Sequence, residues 1–257
     1  MLHPVEVSYA CTHIDTAEVL GYPICLGCRG EIVDLLWQRL CEGTTTHVVT
    51  LNSEMVITAR RNPSMRRLLL QGDVYVADSV GLVWAAGVLR RPGIERCPGI
   101  DLALDLLQRL AGARGRVYLL GSRTGVAERA AKRLVEQLPG LVVAGTHDGY
   151  FDAENEDEVV AQIAAARSDV LLVGMGSPRQ EALIVRRRAD LNVPLMVGVG
   201  GALEVFAGVR RRAPRWVRGT GLEWAYRTMT DVSRFKRLGA LPHFILAVFR
   251  ESRGGAG

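Results

Sequence analysis

Nowhere in this 257-residue chain do apolar residues run on for the roughly 18 to 20 positions that a bilayer-spanning helix needs. The N-terminal stretch MLHPVEVSYACTHIDTAEVLG carries neither a basic leader nor an uninterrupted apolar segment, so no secretory signal is expected and the chain should stay in the cytoplasm. Cysteine is sparse and odd in number, with five residues at positions 11, 25, 28, 41 and 97, which excludes the disulfide framework of a small secreted domain. Cys25 and Cys28 form a CxxC, but no second CxxC or HxxxH follows, and the segment is not the strand-to-helix turn that a redox pair occupies, so both read as ordinary thiols. The dinucleotide fingerprint GxGxxG, the P-loop, GxSxG and HExxH are all missing. No Asp-x-Asp follows a strand, so no divalent metal site on a nucleotide diphosphate is expected.

What the chain does have is a regular alternation. Short β-branched runs, THVVT (46–50), DVYVAD (73–78), RVYLLGS (116–122), LVVAGT (141–146), DVLLVGM (169–175) and PLMVGVG (194–200), are separated by stretches with apolar residues three and four apart. Continuous apolar strands between amphipathic helices predict an α/β fold, a mostly parallel sheet of about six strands covered on both faces. Beyond Gly208 the strand signal stops, and arginines interleave with aromatic residues. The expected organisation is therefore a core over residues 1–208 and a basic helical appendage over 209–257.

Open parallel sheets bind ligands at the carboxyl ends of their strands. That rule selects the residues just past each strand: Thr50 and Asn52, Asp78 and Ser79, Gly121 and Ser122, His147, Asp148 and Gly149, Gln180 and Glu181, and Gly200. Asp78 ends a buried strand and precedes another apolar stretch, an unusual place for a carboxylate without a task. The glycine-rich turns GSRTG and GVGG could aim backbone amides at a phosphate, although tight packing explains any one of them alone. Glu181, in the first turn of the helix opened by Pro178, is equally explained as helix-dipole stabilisation, an account that does not cover Gln180. The acidic run FDAENEDE (151–158) reads as a solvated helix start rather than a ligand set.

Charge is divided unevenly. Residues 205–257 hold eleven Arg/Lys against three Asp/Glu, an excess of +8, whereas the first 204 residues hold 21 basic and 24 acidic groups, a balance of −3. A near-neutral body with a basic tail points to a polyanionic partner for the tail, either nucleic acid or an anionic membrane surface. The tail places Arg210, Arg211, Arg212, Arg215 and Arg218 near Trp216, and Trp224 near Tyr226 and Arg227, a mixture suited to a membrane interface. The apolar run LGALPHFILAVF (238–249) is long enough to lie in an interface and too short to cross one.

Eight segments resemble the WecG/TagA/CpsF glycosyltransferase family: TLNSE (50–54), VADSVGLVWAA (76–86), ERCPGIDL (95–102), VYLLGS (117–122), GTHDGYF (145–151), VGMGSPRQE (173–181), VGVGGALEVFAG (198–208) and RAPRWVRGTGLEWAYR (212–227). The resemblance implies a Rossmann-like fold and inverting transfer of N-acetylmannosamine or a related sugar. The sugar would pass from a UDP-sugar donor to undecaprenyl-diphosphate-linked N-acetylglucosamine, in cell-wall or surface-polymer synthesis, with no cofactor and no essential metal. It assigns the general base to Asp78 and the steadying of the departing diphosphate to Arg96. It puts Thr50, Asn52, Gly99 and Gln180 in the substrate pocket. Arg210, Arg215, Arg218, Glu223 and Arg227 fall in the appendage that covers the site and touches the inner face of the membrane.

The chain departs from the family pattern twice. Asp78-Ser79 stands where the family usually has Asp-Gly, and Gly201-Ala202-Leu203-Glu204 where it usually has Gly-Ser-Phe-Asp. The first leaves the base in place but adds a side chain beside it; the second bears on sugar identity. The rival class is a non-enzymatic module that senses a nucleotide and holds nucleic acid with its tail. No nucleic-acid motif supports that class, so no nucleic-acid partner is expected, while assembly into a homo-oligomer stays open.

Overall fold

The computed structural model describes residues 14–214 and 239–254. Eight strands form one sheet in the order β1-β2-β4-β3-β8-β7-β5-β6. The six expected from sequence are β3 (Thr46–Leu51), β4 (Val74–Ala77), β5 (Arg116–Gly121), β6 (Val142–His147), β7 (Val170–Gly174) and β8 (Leu195–Gly198), all parallel. The other two, β1 (Thr16–Val19) and β2 (Tyr22–Cys25), add to the six that the sequence pattern predicts. They form an antiparallel hairpin that adds itself to the sheet through β2 and β4. Each is four residues long and β2 contains Pro23, which weakens any strand signal. Leu20 and Gly21 make the two-residue turn with φ of 55° and 85°, the positive pair a tight hairpin requires.

Alternation along the central strands sorts their side chains onto two faces. Val48, Val74, Val76, Val117, Leu119, Val170 and Leu172 pack under α1 (Arg29–Cys41), α5 (Gly99–Gly112), α6 (Val126–Gln137) and the short α9 (Ala202–Phe206). On the other face Val49, Leu51, Tyr75 and Ala77 pack under α2 (Ser53–Arg61), α3 (Pro63–Leu69) and α4 (Val80–Val88). Tyr118, Leu120, Leu171 and Val173 continue that face under α7 (Glu156–Ala165) and α8 (Arg179–Leu191). The result is a three-layer α/β sandwich.

The chain builds β3 and β4 toward one edge, crosses through α5, and returns inward along β7 and β8 until β8 pairs with β3. After β3 the chain leaves for one face through α2, and after β8 for the other through α9. A crevice must open between these two departures, at the carboxyl ends of the strands. The last described helix, α10 (Ala240–Gly254), closes this side: Phe244, Ala247 and Val248 are buried with Leu82, Ala85 and Met55 of α4 and α2.

Candidate active site

The crevice holds a cavity of about 740 Å³, walled by the turns that follow β3 through β8, by Arg210, Arg211 and Arg212, and by Ala240 and Leu241 at the start of α10. Six separate turns reach it because every parallel strand ends on the same edge.

Asp78 sits half-buried one residue beyond β4, its N–H donating to the Leu51 carbonyl at 2.9 Å. Its Oδ1 accepts the backbone N–H of Gly99, the first residue of α5, at 2.7 Å. The carboxylate therefore meets the positive end of that helix, a setting that favours the charged form. Arg96 lies alongside: it bridges to Ala77 in parallel register, and its Nε donates to the Asp78 carbonyl at 3.3 Å. Both residues line the cavity. The neighbouring Cys97 is buried, and desolvation pushes its thiol up to about 12, so it is no nucleophile at neutral pH.

Thr50 and Gln180 hold the cavity walls together. The Thr50 hydroxyl donates to the Gly198 carbonyl at 2.6 Å, tying β3 to β8. Gly99 is required beside it, since a Cβ there would lie 2.9 Å from Thr50 Cγ2. The Gln180 carbonyl oxygen accepts from the N–H groups of Gly176 and Gly200, both at 3.1 Å, and so brackets the turns after β7 and β8. Its amide donates to Glu181 Oε1 at 2.8 Å. Asn52 caps α2 by accepting the Met55 N–H at 3.0 Å and also lines the cavity.

Beyond β5, Gly121 has φ of 134°, and a Cβ would run into the Gly174 backbone, so only glycine fits. Ser122 follows at φ of 65° and accepts, through its carbonyl, the Gly149 N–H at 2.9 Å. Ser122, Gly149 and Gly200 all face the cavity, the arrangement of close backbone approach that glycine-rich turns suggest.

Four sequence-selected residues are not on the cavity wall: Gly121, which lies just behind it, and His147, Asp148 and Glu181. His147 ends β6 with Nδ1 at 2.7 Å from the Asp148 carbonyl and its ring edge-on to Phe151. Asp148 accepts from the Thr124 hydroxyl and the Tyr150 N–H, which hold its carboxyl below the usual range. Both serve the turn after β6 instead of the pocket. Glu181 is buried beneath Gln180, not at the mouth, and burial raises its carboxyl above the usual range. In a first helical turn the direction of each side chain is set by what the helix packs against, which residue type alone does not reveal.

Ser79 opens α4, and its hydroxyl lies 3.0 Å from that of Ser53 at the start of α2, so the side chain absent from the usual Asp-Gly pattern links two helix N-termini. Glu204, the other departure, pairs with Arg210 at 3.1 Å; both line the cavity. The cavity also recruits Arg123 and Arg179, which the sequence did not single out, making six guanidinium groups with Arg96, Arg210, Arg211 and Arg212 against three carboxylates, Glu54, Asp78 and Glu204. Arg179 is fixed by the Gly149 carbonyl at 2.9 Å and the Tyr150 ring. Arginines in turns or at a helix start, such as Arg123 and Arg179, look like solvated charge in a sequence, and only folding converges them. Arg215, Arg218, Glu223 and Arg227 lie outside the described residues. Among the described residues no group of three or more His, Cys, Asp or Glu side chains is placed to hold a metal ion.

Fold and site together define a class: a mostly parallel α/β protein whose switch-point cleft holds Asp78 within a cationic, amide-lined wall suited to an anionic substrate. Comparison with known proteins gives that class a family. The model of the glycosyl transferase WecG/TagA/CpsF family matches residues 17–256. The N-acetylglucosaminyldiphosphoundecaprenol N-acetyl-beta-D-mannosaminyltransferases of Staphylococcus aureus strains NCTC 8325 / PS 47, COL and MSSA476 are each 37% identical over 206 residues, covering 80% of this chain and 80% of the relative. This chain belongs to the WecG/TagA/CpsF family and is a glycosyltransferase. The non-enzymatic alternative finds no support.

Proposed function

We propose that the enzyme transfers N-acetylmannosamine, or a closely related sugar, from a UDP-sugar to undecaprenyl-diphosphate-linked N-acetylglucosamine. The observation that carries the reading is the meeting of Asp78 and Arg96 on one wall of a cavity with twice as many guanidinium groups as carboxylates. The relatives named for this reaction supply the substrates.

In the proposed chemistry the acceptor hydroxyl attacks the anomeric carbon, the bond from that carbon to the diphosphate oxygen breaks, and UDP departs with the electron pair. The hydroxyl proton passes to the Asp78 carboxyl group, which the Gly99 N–H holds in place. Negative charge growing on the diphosphate is met by Arg96 and the arginines across the cavity, the positions where pre-placed cations lower a barrier most. Guanidinium groups supply the charge that a divalent ion brings elsewhere, so we propose that no essential metal is used. Inversion at the anomeric carbon follows from a single displacement.

No described helix is long and apolar enough to cross a membrane. We propose instead that the enzyme meets its lipid acceptor peripherally, at the cytoplasmic face. Leu241, Ile245, Leu246 and Phe249 of α10 are exposed together with Trp84 of α4, whose ring is 6.0 Å from that of Phe249. Leu241 also lines the cavity, so the apolar patch begins at the mouth of the site.

The test is incubation with a panel of UDP-sugars and a short-chain prenyl-diphosphate-linked N-acetylglucosamine, following UDP release and product mass with and without a chelator. Release of UDP and a product one N-acetylhexosamine heavier, undiminished by chelator, is expected; no transfer from any UDP-sugar would refute the proposal.

A further inference from the structure

One contact in the cavity wall links two parts of the site that are far apart in sequence. Asp101 stands in the first turn of α5, two residues after the Gly99 N–H that binds Asp78. Its two carboxylate oxygens each accept from Arg212, Nη1 to Oδ1 and Nη2 to Oδ2, both at 2.6 Å. The pair is largely shielded, with 17% of the Arg212 side chain and 18% of the Asp101 side chain exposed. Two parallel N–H···O bonds to one carboxylate set orientation as well as distance. The segment so tied carries Arg210, Arg211 and Arg212 in succession along the cavity. At its near end Arg210 pairs with Glu204, whose carbonyl also accepts the N–H groups of Val209 and Arg210. Between the two anchored arginines stands Arg211, exposed and lining the cavity.

We infer that Asp101 and Arg212 are positioning residues for sugar transfer: their pair fastens the arginine segment to the helix turn that holds Asp78, so that base and cations face the same substrate at a set separation. Neither residue needs to touch the sugar. The turn from Arg96 to Asp101 is the common mount, with Arg96 and Gly99 gripping Asp78 on one side and Asp101 gripping the arginine segment on the other. With the pair broken, Arg211 loses its fixed aim at the leaving group although every reacting group is still present. Misplacement of about 1 Å by a residue remote from the chemistry costs on the order of 100-fold in rate.

The inference rests on the reading of the cavity as the place where a nucleoside-diphosphate sugar is cleaved, and the experiment separates the two. UDP affinity by calorimetry, kcat and KM for transfer, and Tm are measured for the wild type, Asp101→Asn, Arg212→Gln, Arg212→Lys, the Asp101→Asn/Arg212→Gln double variant, and Asp105→Asn. Asp105, on the same helix, pairs with Arg29 at 2.6 Å, and Arg29 also lies 3.8 Å from Asp101, so its variant disturbs this helix surface while leaving both prongs of the Asp101–Arg212 contact in place. Asp101→Asn and Arg212→Gln should each lower kcat/KM about 100-fold. UDP binding should weaken, the double variant should be no worse than the poorer single, and Asp105→Asn should stay near wild type. Lysine at 212 should not restore turnover, because a single ammonium cannot make the two-pronged contact. Wild-type UDP affinity and turnover in Asp101→Asn, losses that multiply in the double variant, or an equal loss in Asp105→Asn would each overturn the inference. If Arg212→Gln does not fold, the near-isosteric Asp101→Asn against Asp105→Asn decides alone. A wild-type protein that neither binds UDP nor transfers sugar overturns the underlying reading instead.

Discussion

In the proposed mechanism Asp78 carries the largest functional weight of any single side chain. Asp78→Asn keeps the shape of the residue and an acceptor oxygen for the Gly99 N–H while removing the proton acceptor. Transfer should fall by about two to four orders of magnitude, the scale of positioned proton transfer, with Tm nearly unchanged; turnover assays and a thermal melt on the same sample check it. His47 makes a different prediction. It is buried at the amino end of β3, far along the strand from the cavity, and desolvation lowers its folded pKa from 6.5 to about 4. The unfolded chain then takes up the proton first, so stability is full above pH 6.5 and falls as pH drops toward 4. The loss amounts to about 3 kcal/mol at most. Urea unfolding across that range should show the wild type losing stability that His47→Leu does not lose.

At the scale of elements, the helix starts build the site. Gln180, in the first turn of α8, holds the turns after β7 and β8 at a fixed spacing through its one carbonyl oxygen. α10 has two apolar faces with different fates. Phe244 is buried under α2 and α4, and Phe244→Ala should cost about 3 to 5 kcal/mol in urea unfolding, as for other large core truncations. Phe249 and Trp84 are exposed, at 46% and 42%. Replacing both with serine should keep a cooperative fold, at a lower midpoint because the Trp84 ring also lies 6.4 Å from that of Phe244, yet weaken sedimentation with lipid vesicles about tenfold or more, from the apolar area no longer buried in lipid. An unchanged vesicle affinity would remove the membrane role of this face.

For the whole molecule, charge and shape act together. The excess of +8 in residues 205–257 belongs to the same stretch that contributes Arg210, Arg211 and Arg212 to the cavity and the exposed face of α10. An enzyme drawn to an anionic surface by this stretch should bind phosphatidylglycerol vesicles at low salt. It should release them as salt approaches about 1 M, where the screening length shrinks to ~3 Å. Binding that ignores salt would assign the surface contact to the apolar patch alone.

Sequence by itself determined the layered α/β class, the six parallel strands and the edge on which ligands gather, because strand periodicity and helix spacing are local and repeat along the chain. Motif resemblance supplied the family, and the carboxylate and its neighbouring arginine along with it. Tertiary structure alone decided which polar groups face the cavity. Asp148 and Glu181 satisfy strand-end rules as well as Asp78 does, yet one caps a turn and the other is buried under Gln180. The Asp101–Arg212 pair, 111 residues apart, has no local signature at all. A contact of that kind exists only once the crossover through α5 brings the start of one helix beside the segment that follows β8, and side-chain direction is settled by that packing.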